Sequence, residues 1–80
     1  MPVCGQVQVI AARVNLRVAP GIGGQAEVLR KLAEGEVLWK LCDEPQHVDG
    51  YTWVRVLGRG DVLPGWVAMD YLREGVQAGP

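Results

Sequence analysis

The chain has 80 residues, room for one domain with one modest core. Apolar residues make up 49% and charged residues 21%, an ordinary balance for a folded protein that excludes general disorder and confines any to the ends. The formal net charge of −1, with no run of Lys or Arg, disfavours a nucleic-acid module, which carries a basic face to neutralise phosphates.

Three Trp, two Tyr and no Phe leave Val and Leu to fill the core, and branched side chains with abundant Gly favour strands. Residues 6–9 alternate polar and apolar and predict a half-buried strand. Residues 14–18 repeat the alternation, with Val14, Leu16 and Val18 on one face. Residues 19–24 are too rich in Gly and Pro for an element interior and predict a long irregular loop. Ala26, Leu29 and Ala33 fall near helical spacing, but that segment is short, lacks an N-cap and runs into Gly35. A strand over Val28–Leu32 is expected instead, with a tight turn at residues 33–35 into an apolar strand over 36–42. Residues 43–50 are polar, contain Pro45 and end in Asp49-Gly50, which predicts a loop. Residues 52–57 alternate cleanly as a central strand. A hairpin at 58–61 leads to a partner strand through Gly65-Trp66-Val67, with Trp66 expected to begin an inward-facing strand. Residues 69–72 suit a single helical turn before a last short strand.

The expected fold class is therefore all-β: a small barrel or two-sheet sandwich of five to six short strands, with one helical turn near the C-terminus. Residues 1–74 form the domain and residues 75–80 a tail or linker. No apolar stretch is long enough to span a bilayer and no signal-peptide h-region follows the start, so neither export nor anchoring is encoded in the chain as given.

The ordered motifs resemble the bacterial Src-homology-3 family. Val14-Asn15-Leu16-Arg17-Val18-Ala19-Pro20-Gly21 is similar to its opening pattern. Val28, Leu29 and Leu32 followed by Gly35 match the next strand and turn. Gly50-Tyr51-Thr52-Trp53-Val54-Arg55-Val56 matches the central strand, and Gly65-Trp66-Val67 with Tyr71-Leu72 matches the ending. The resemblance covers about residues 9–72 and implies an SH3-like β-barrel. Val18-Ala19 departs from the Ser-Gly often found there, residues 58–64 are long for the hairpin, and Lys40 replaces an apolar strand residue. In the usual register Leu38 points inward and Trp39 outward; in a register slipped by one, Val37, Trp39 and Leu41 form the core stripe.

The resemblance also implies that Tyr51, Trp53 and Tyr71 converge beside the early loop in a peptide-binding groove, which in relatives often takes cell-wall peptides. Flat aromatic surfaces suit extended peptides because they offer area at low entropy cost. The alternative for Trp53 is a lid on the core. Arg17 and Asp70 would frame the groove with opposite charges and hold a ligand amine or carboxylate, or else form a solvated pair. Asn15 is expected to brace the early loop through backbone hydrogen bonds. The implied function is a non-catalytic module binding peptide or a peptidoglycan fragment, within an envelope or secreted protein; the alternative is an assembly domain meeting another protein chain. A monomer or weak homo-oligomer is expected.

No cofactor or metal is expected. The chain contains no Ser, so a serine nucleophile is impossible. The single His47 lies in a polar loop, and a Cys-His pair would need the fold to bring Cys4 or Cys42 beside it. Cys42, Asp43, Glu44 and His47 lack the second ligand pair that structural zinc draws. Cys4 and Cys42 permit one disulfide, but two buried free thiols are the expected reading and the bridge the alternative. Arg59-Gly60-Asp61 spells an integrin-recognition tripeptide, but Gly-X-Gly-Asp is also what a tight turn requires.

Overall fold

Alternating apolar residues set the strands, and glycines set their turns. The computed structural model describes residues 2–74; the proposed tail at 75–80 lies outside them. The strands are β1 (Val3–Val9), β2 (Val14–Arg17), β3 (Val28–Leu32), β4 (Val37–Leu41), β5 (Gln46–Val48), β6 (Tyr51–Gly58), β7 (Gly65–Ala68) and β8 (Leu72–Glu74). A single 3-10 turn, Met69–Tyr71, precedes β8. All pairings are antiparallel, in the order β3-β2-β7-β6-β4-β1-β8, with β5 beside β6.

This one sheet curls around one core. Leu32 from one end of the strand order and Leu72 from the other join Val7, Val9, Val14, Leu16, Leu38, Val54, Val56 and Val67 in a single buried cluster. The β1–β4 pairing continues into the turn after β3, where Gly35 N donates to Val9 O at 2.7 Å and Val9 N donates to Glu36 O at 2.9 Å. Gly35 adopts φ +89°, a conformation that β-carbons disfavour. A small barrel, not a pair of separate layers, is the result. No helix among the described residues is long and apolar enough to cross a membrane.

Several local expectations need correction. β5 falls within the segment expected to be a loop, because Asp49 (φ +54°) and Gly50 (φ +79°) make a tight two-residue turn that folds it back on β6. Val18 is 45% exposed and does not share the face of Val14 and Leu16; the β2–β3 register shifts between Leu16 and Arg17, which ends the alternation. Trp66 is only half-buried, and its neighbour Val67 fills the core. On β4, Leu38 points inward and the slipped stripe is not formed, since Val37 and Trp39 are half-buried. Leu41 is nonetheless buried, apart from the main core. Lys40 pairs with Glu74 on β8, so the polar residue at that position has a partner within the fold.

Two close approaches tighten the barrel. A β-carbon on Gly65 would stand 2.8 Å from the Leu16 side chain and 2.9 Å from Arg17 O, so only glycine lets β7 lie this near β2. Cys4 and Cys42 are joined by a disulfide across β1 and the end of β4, with Cα atoms 5.0 Å apart and a sequence separation of 38. Both half-cystines are exposed. The expectation of buried free thiols is thus replaced by a surface clip, seated at the irregularity between Val3 and Gly5 in the β1–β4 register.

Arg30 ties three segments together. Its Nη2 lies 2.6 Å from Glu36 Oε2 and 2.9 Å from Asp61 Oδ2. The guanidinium holds the Glu36 carboxyl below its ordinary value of 4.5, chiefly through these hydrogen bonds. A depressed carboxyl stabilises the fold fully above its unfolded pKa and loses that contribution as pH falls through the folded one. Arg30 is 35% exposed and Glu36 23% exposed, so solvent weakens the pair. Arg30→Gln is therefore expected to cost about 1–2 kcal/mol at pH 7 in urea unfolding. The gap from the parent should narrow at pH 3; an equal gap at both pH values would show that Arg30 acts through packing alone.

Candidate functional site

The long connection between β2 and β3 folds over one end of the barrel and is pinned there twice. Arg17 Nη1 donates to Ala26 O at 2.8 Å, and the Ile22 backbone N donates to Asp49 Oδ2 at 2.9 Å. The second bond ties the loop to the β5–β6 turn. Between loop, turn and the 3-10 segment lies a cavity of about 220 Å³ lined by Arg13, Asn15, Arg17, Ile22, Tyr51, Trp53 and Tyr71, with Ala12, Val14 and Ala68 completing its wall.

Four of the five residues expected at a binding groove meet here: Tyr51, Trp53, Tyr71 and Arg17. The Tyr51 ring sits 5.8 Å from the Trp53 ring in an edge-on arrangement and 6.5 Å from the Tyr71 ring. Tyr51 opens β6 and Tyr71 closes the 3-10 turn, so the barrel's own pairing brings them together. The Tyr71 phenol is held above the usual tyrosine range, chiefly by the Tyr51 hydroxyl beside it. The Tyr71 hydroxyl is therefore protonated at neutral pH.

No protein-family model matches the chain, and neither a curated protein nor a solved structure matches it. The site must be read from its own geometry.

That geometry assigns the expected residues unequal parts. Trp53 is 3% exposed, and its Nε1 donates to Val48 O at 2.8 Å. It forms the floor of the cavity and anchors β5, with little surface left for a ligand. Tyr71 is 38% exposed and offers the accessible face. Asp70 is exposed and does not line the cavity, and among the described residues it makes no ion pair with Arg17. A groove framed by opposite charges is thus not formed. Asn15 Oδ1 accepts from Lys31 Nζ at 2.9 Å, so its side chain braces β3 and not the loop backbone.

Arg13 and Ile22 were not foreseeable as wall residues. Arg13 has φ +59°, a left-handed conformation that no local pattern announces for an arginine. Ile22 is exposed within a glycine-rich loop, and only the Asp49 bond brings it to the cavity.

The other chemical candidates are engaged elsewhere. Cys42 is bonded to Cys4, which removes its thiolate from any pairing with His47. His47 Nδ1 and Thr52 Oγ1 share a hydrogen bond of 3.0 Å, and Asp43 pairs with Arg55 at 2.9 Å. Among the described residues no three His, Cys, Asp or Glu side chains gather as metal ligands. In the Arg59-Gly60-Asp61 turn, Asp61 is held by Arg30, and the Arg59 guanidinium lies 5.6 Å from the Trp39 ring centre. Both charges of the tripeptide have partners within the fold.

Proposed function

We propose that the chain is a non-catalytic, SH3-like module of the bacterial kind that binds short peptide segments, peptidoglycan peptides among them, as part of an envelope or secreted protein. The observation that carries this reading is the convergence of Tyr51, Tyr71, Trp53 and Arg17 on one cavity. Rigid aromatic walls with polar tips give contact area without freezing many rotamers, which suits a flexible peptide. The cavity is smaller than the roughly 300–1,000 Å³ of sites that enclose whole drug-sized ligands. It is sized for one anchoring residue, with the remainder of the peptide lying across the exposed Tyr71 face.

Tyr71→Ala tests the proposal because the side chain is accessible and lies outside the core cluster. The variant should keep its thermal midpoint within a few degrees, since exposed positions change stability by about 0.5 kcal/mol or less. Its affinity for muropeptides should fall about ten-fold or more in NMR titration, the loss expected for one aromatic anchor. Unchanged affinity would remove Tyr71 from the site.

A second reading, an assembly domain, is favoured by one feature. Leu29, Val62 and Leu63 are exposed around a shallow groove next to β3, which ends the strand order. Such an edge can accept another strand. Light scattering over a wide concentration range separates the two readings, because a strict monomer speaks against self-assembly.

A further inference from the structure

The cavity at the tyrosines is a set of donors with no acid among them. Arg13 and Arg17 line it, and no Asp or Glu does. The bond from Arg17 Nη1 to Ala26 O anchors the guanidinium, yet an arginine carries five N–H donors and most remain for a ligand. With Asn15 Oδ1 occupied by Lys31, the part of that side chain left to a ligand is its amide N–H₂, again a donor. Tyr51 and Tyr71 contribute hydroxyl groups to the lining. Trp53 contributes only its ring, because its N–H is committed to Val48.

Arg13 stands out within this set. It is exposed, and among the described residues it has neither an ion-pair partner nor a side-chain hydrogen bond. Its left-handed backbone costs about 1 kcal/mol for a residue with a β-carbon. A strained, unpaired cation at the mouth of a cavity that already holds an anchored cation leaves an anion as the missing partner. A cationic ligand group would meet two positive charges in the lining and no acid there, Asp70 standing near Tyr71 but outside the wall.

We infer that this cavity takes a peptide carboxylate, with Arg13 and Arg17 as its ionic partners and the Asn15 amide and tyrosine hydroxyls as hydrogen-bond donors. The inference rests on the reading of the cavity as a peptide site and adds the chemical class of the group that enters it. Guanidinium groups suit this role because their planar N–H forks match the two oxygens of a carboxylate. The carboxylate is either the peptide's C-terminus or an acidic side chain.

Four probes test it by NMR titration of the full chain, read at the Trp53 indole N–H and the Tyr51 amide. They are acetyl-Ala-Ala as the free acid, acetyl-Ala-Ala amide, acetyl-Ala-Glu-Ala amide, and Ala-Ala amide with a free amine. At least one carboxylate-bearing probe should bind about ten-fold or more tightly than the neutral amide, and added salt should erode the difference. Preference for the first or third probe identifies the source of the carboxylate. Arg13→Gln should remove most of the difference, while Arg13→Lys should restore part of it; Arg13 is exposed, so both variants retain the fold. Equal binding of the acid and the neutral amide, or preference for the free amine, overturns the carboxylate assignment and leaves the peptide site standing. No response to any of the four removes the peptide site and the inference together.

Discussion

The double variant Cys4→Ala/Cys42→Ala is expected to be about 4 kcal/mol less stable than the parent, the entropy released to an unfolded chain freed of a 38-residue closed loop. For a domain this size total stability is about 4–12 kcal/mol, so the variant stands near the edge of folding. A fall in thermal midpoint of about 15–30 °C should accompany the loss. Because both half-cystines are exposed, a mild reductant should reach the bridge without prior unfolding and reproduce the effect in the unmodified chain. A loss below about 1 kcal/mol in urea unfolding would mean that the paired strands β1 and β4 hold that edge without the clip.

Trp53→Ala should cost about 3–5 kcal/mol, the range for removing a large buried aromatic. The ring is nearly inaccessible, packs edge-on against Tyr51 and anchors β5 through the bond to Val48 O. The sign of the effect on binding is the same as for Tyr71→Ala, but the cause differs. Trp53→Ala should lower the urea midpoint sharply and free β5 and the Asp49-Gly50 turn, so the cavity is lost with its floor. Trp53→Phe keeps most of the volume and loses only the hydrogen bond, for about 1 kcal/mol. If Trp53→Ala proves as stable as the parent, the tryptophan is a ligand platform and not a structural floor.

The difference between these two aromatics marks where sequence reasoning stops. Period-two alternation was enough to place β1, β2 and β6, because one face of each strand must meet the core. Shortness, the missing N-cap and Gly35 pointed to a strand in place of a helix over Val28–Leu32, and that strand is present, with Leu32 buried and Val28 and Leu29 at the surface. Alternation could not place Val18 or Leu41, because a single register irregularity reverses which side chains face inward. β5 was missed although Asp49-Gly50 stood beside it. A three-residue polar strand has no alternation to display, and only the turn chemistry announced it.

The site was legible in part because the family resemblance implied where its residues would meet. Tyr51, Trp53, Tyr71 and Arg17 are large or charged residues in motifs that point to strand starts and to the helical turn. Arg13 carries no such marker: its place depends on a backbone conformation fixed by the β1–β2 connection. The opposite-charge frame failed because Asp70 sits on a 3-10 turn that aims Tyr71, and not its neighbour, at the cavity. Exposure of the disulfide was equally out of reach, since residue type alone places cysteine in the interior.

The clip also divides the cavity along the path that tension would follow. Arg13, Asn15, Arg17 and Ile22 lie between the two half-cystines in sequence, whereas Tyr51, Trp53 and Tyr71 lie beyond Cys42. A pull applied to the two chain ends passes through the sulfur bridge and leaves the enclosed segment slack, withholding about 130 Å of extension at ~3.4 Å per residue. A chemically reduced chain would therefore lengthen further under the same force.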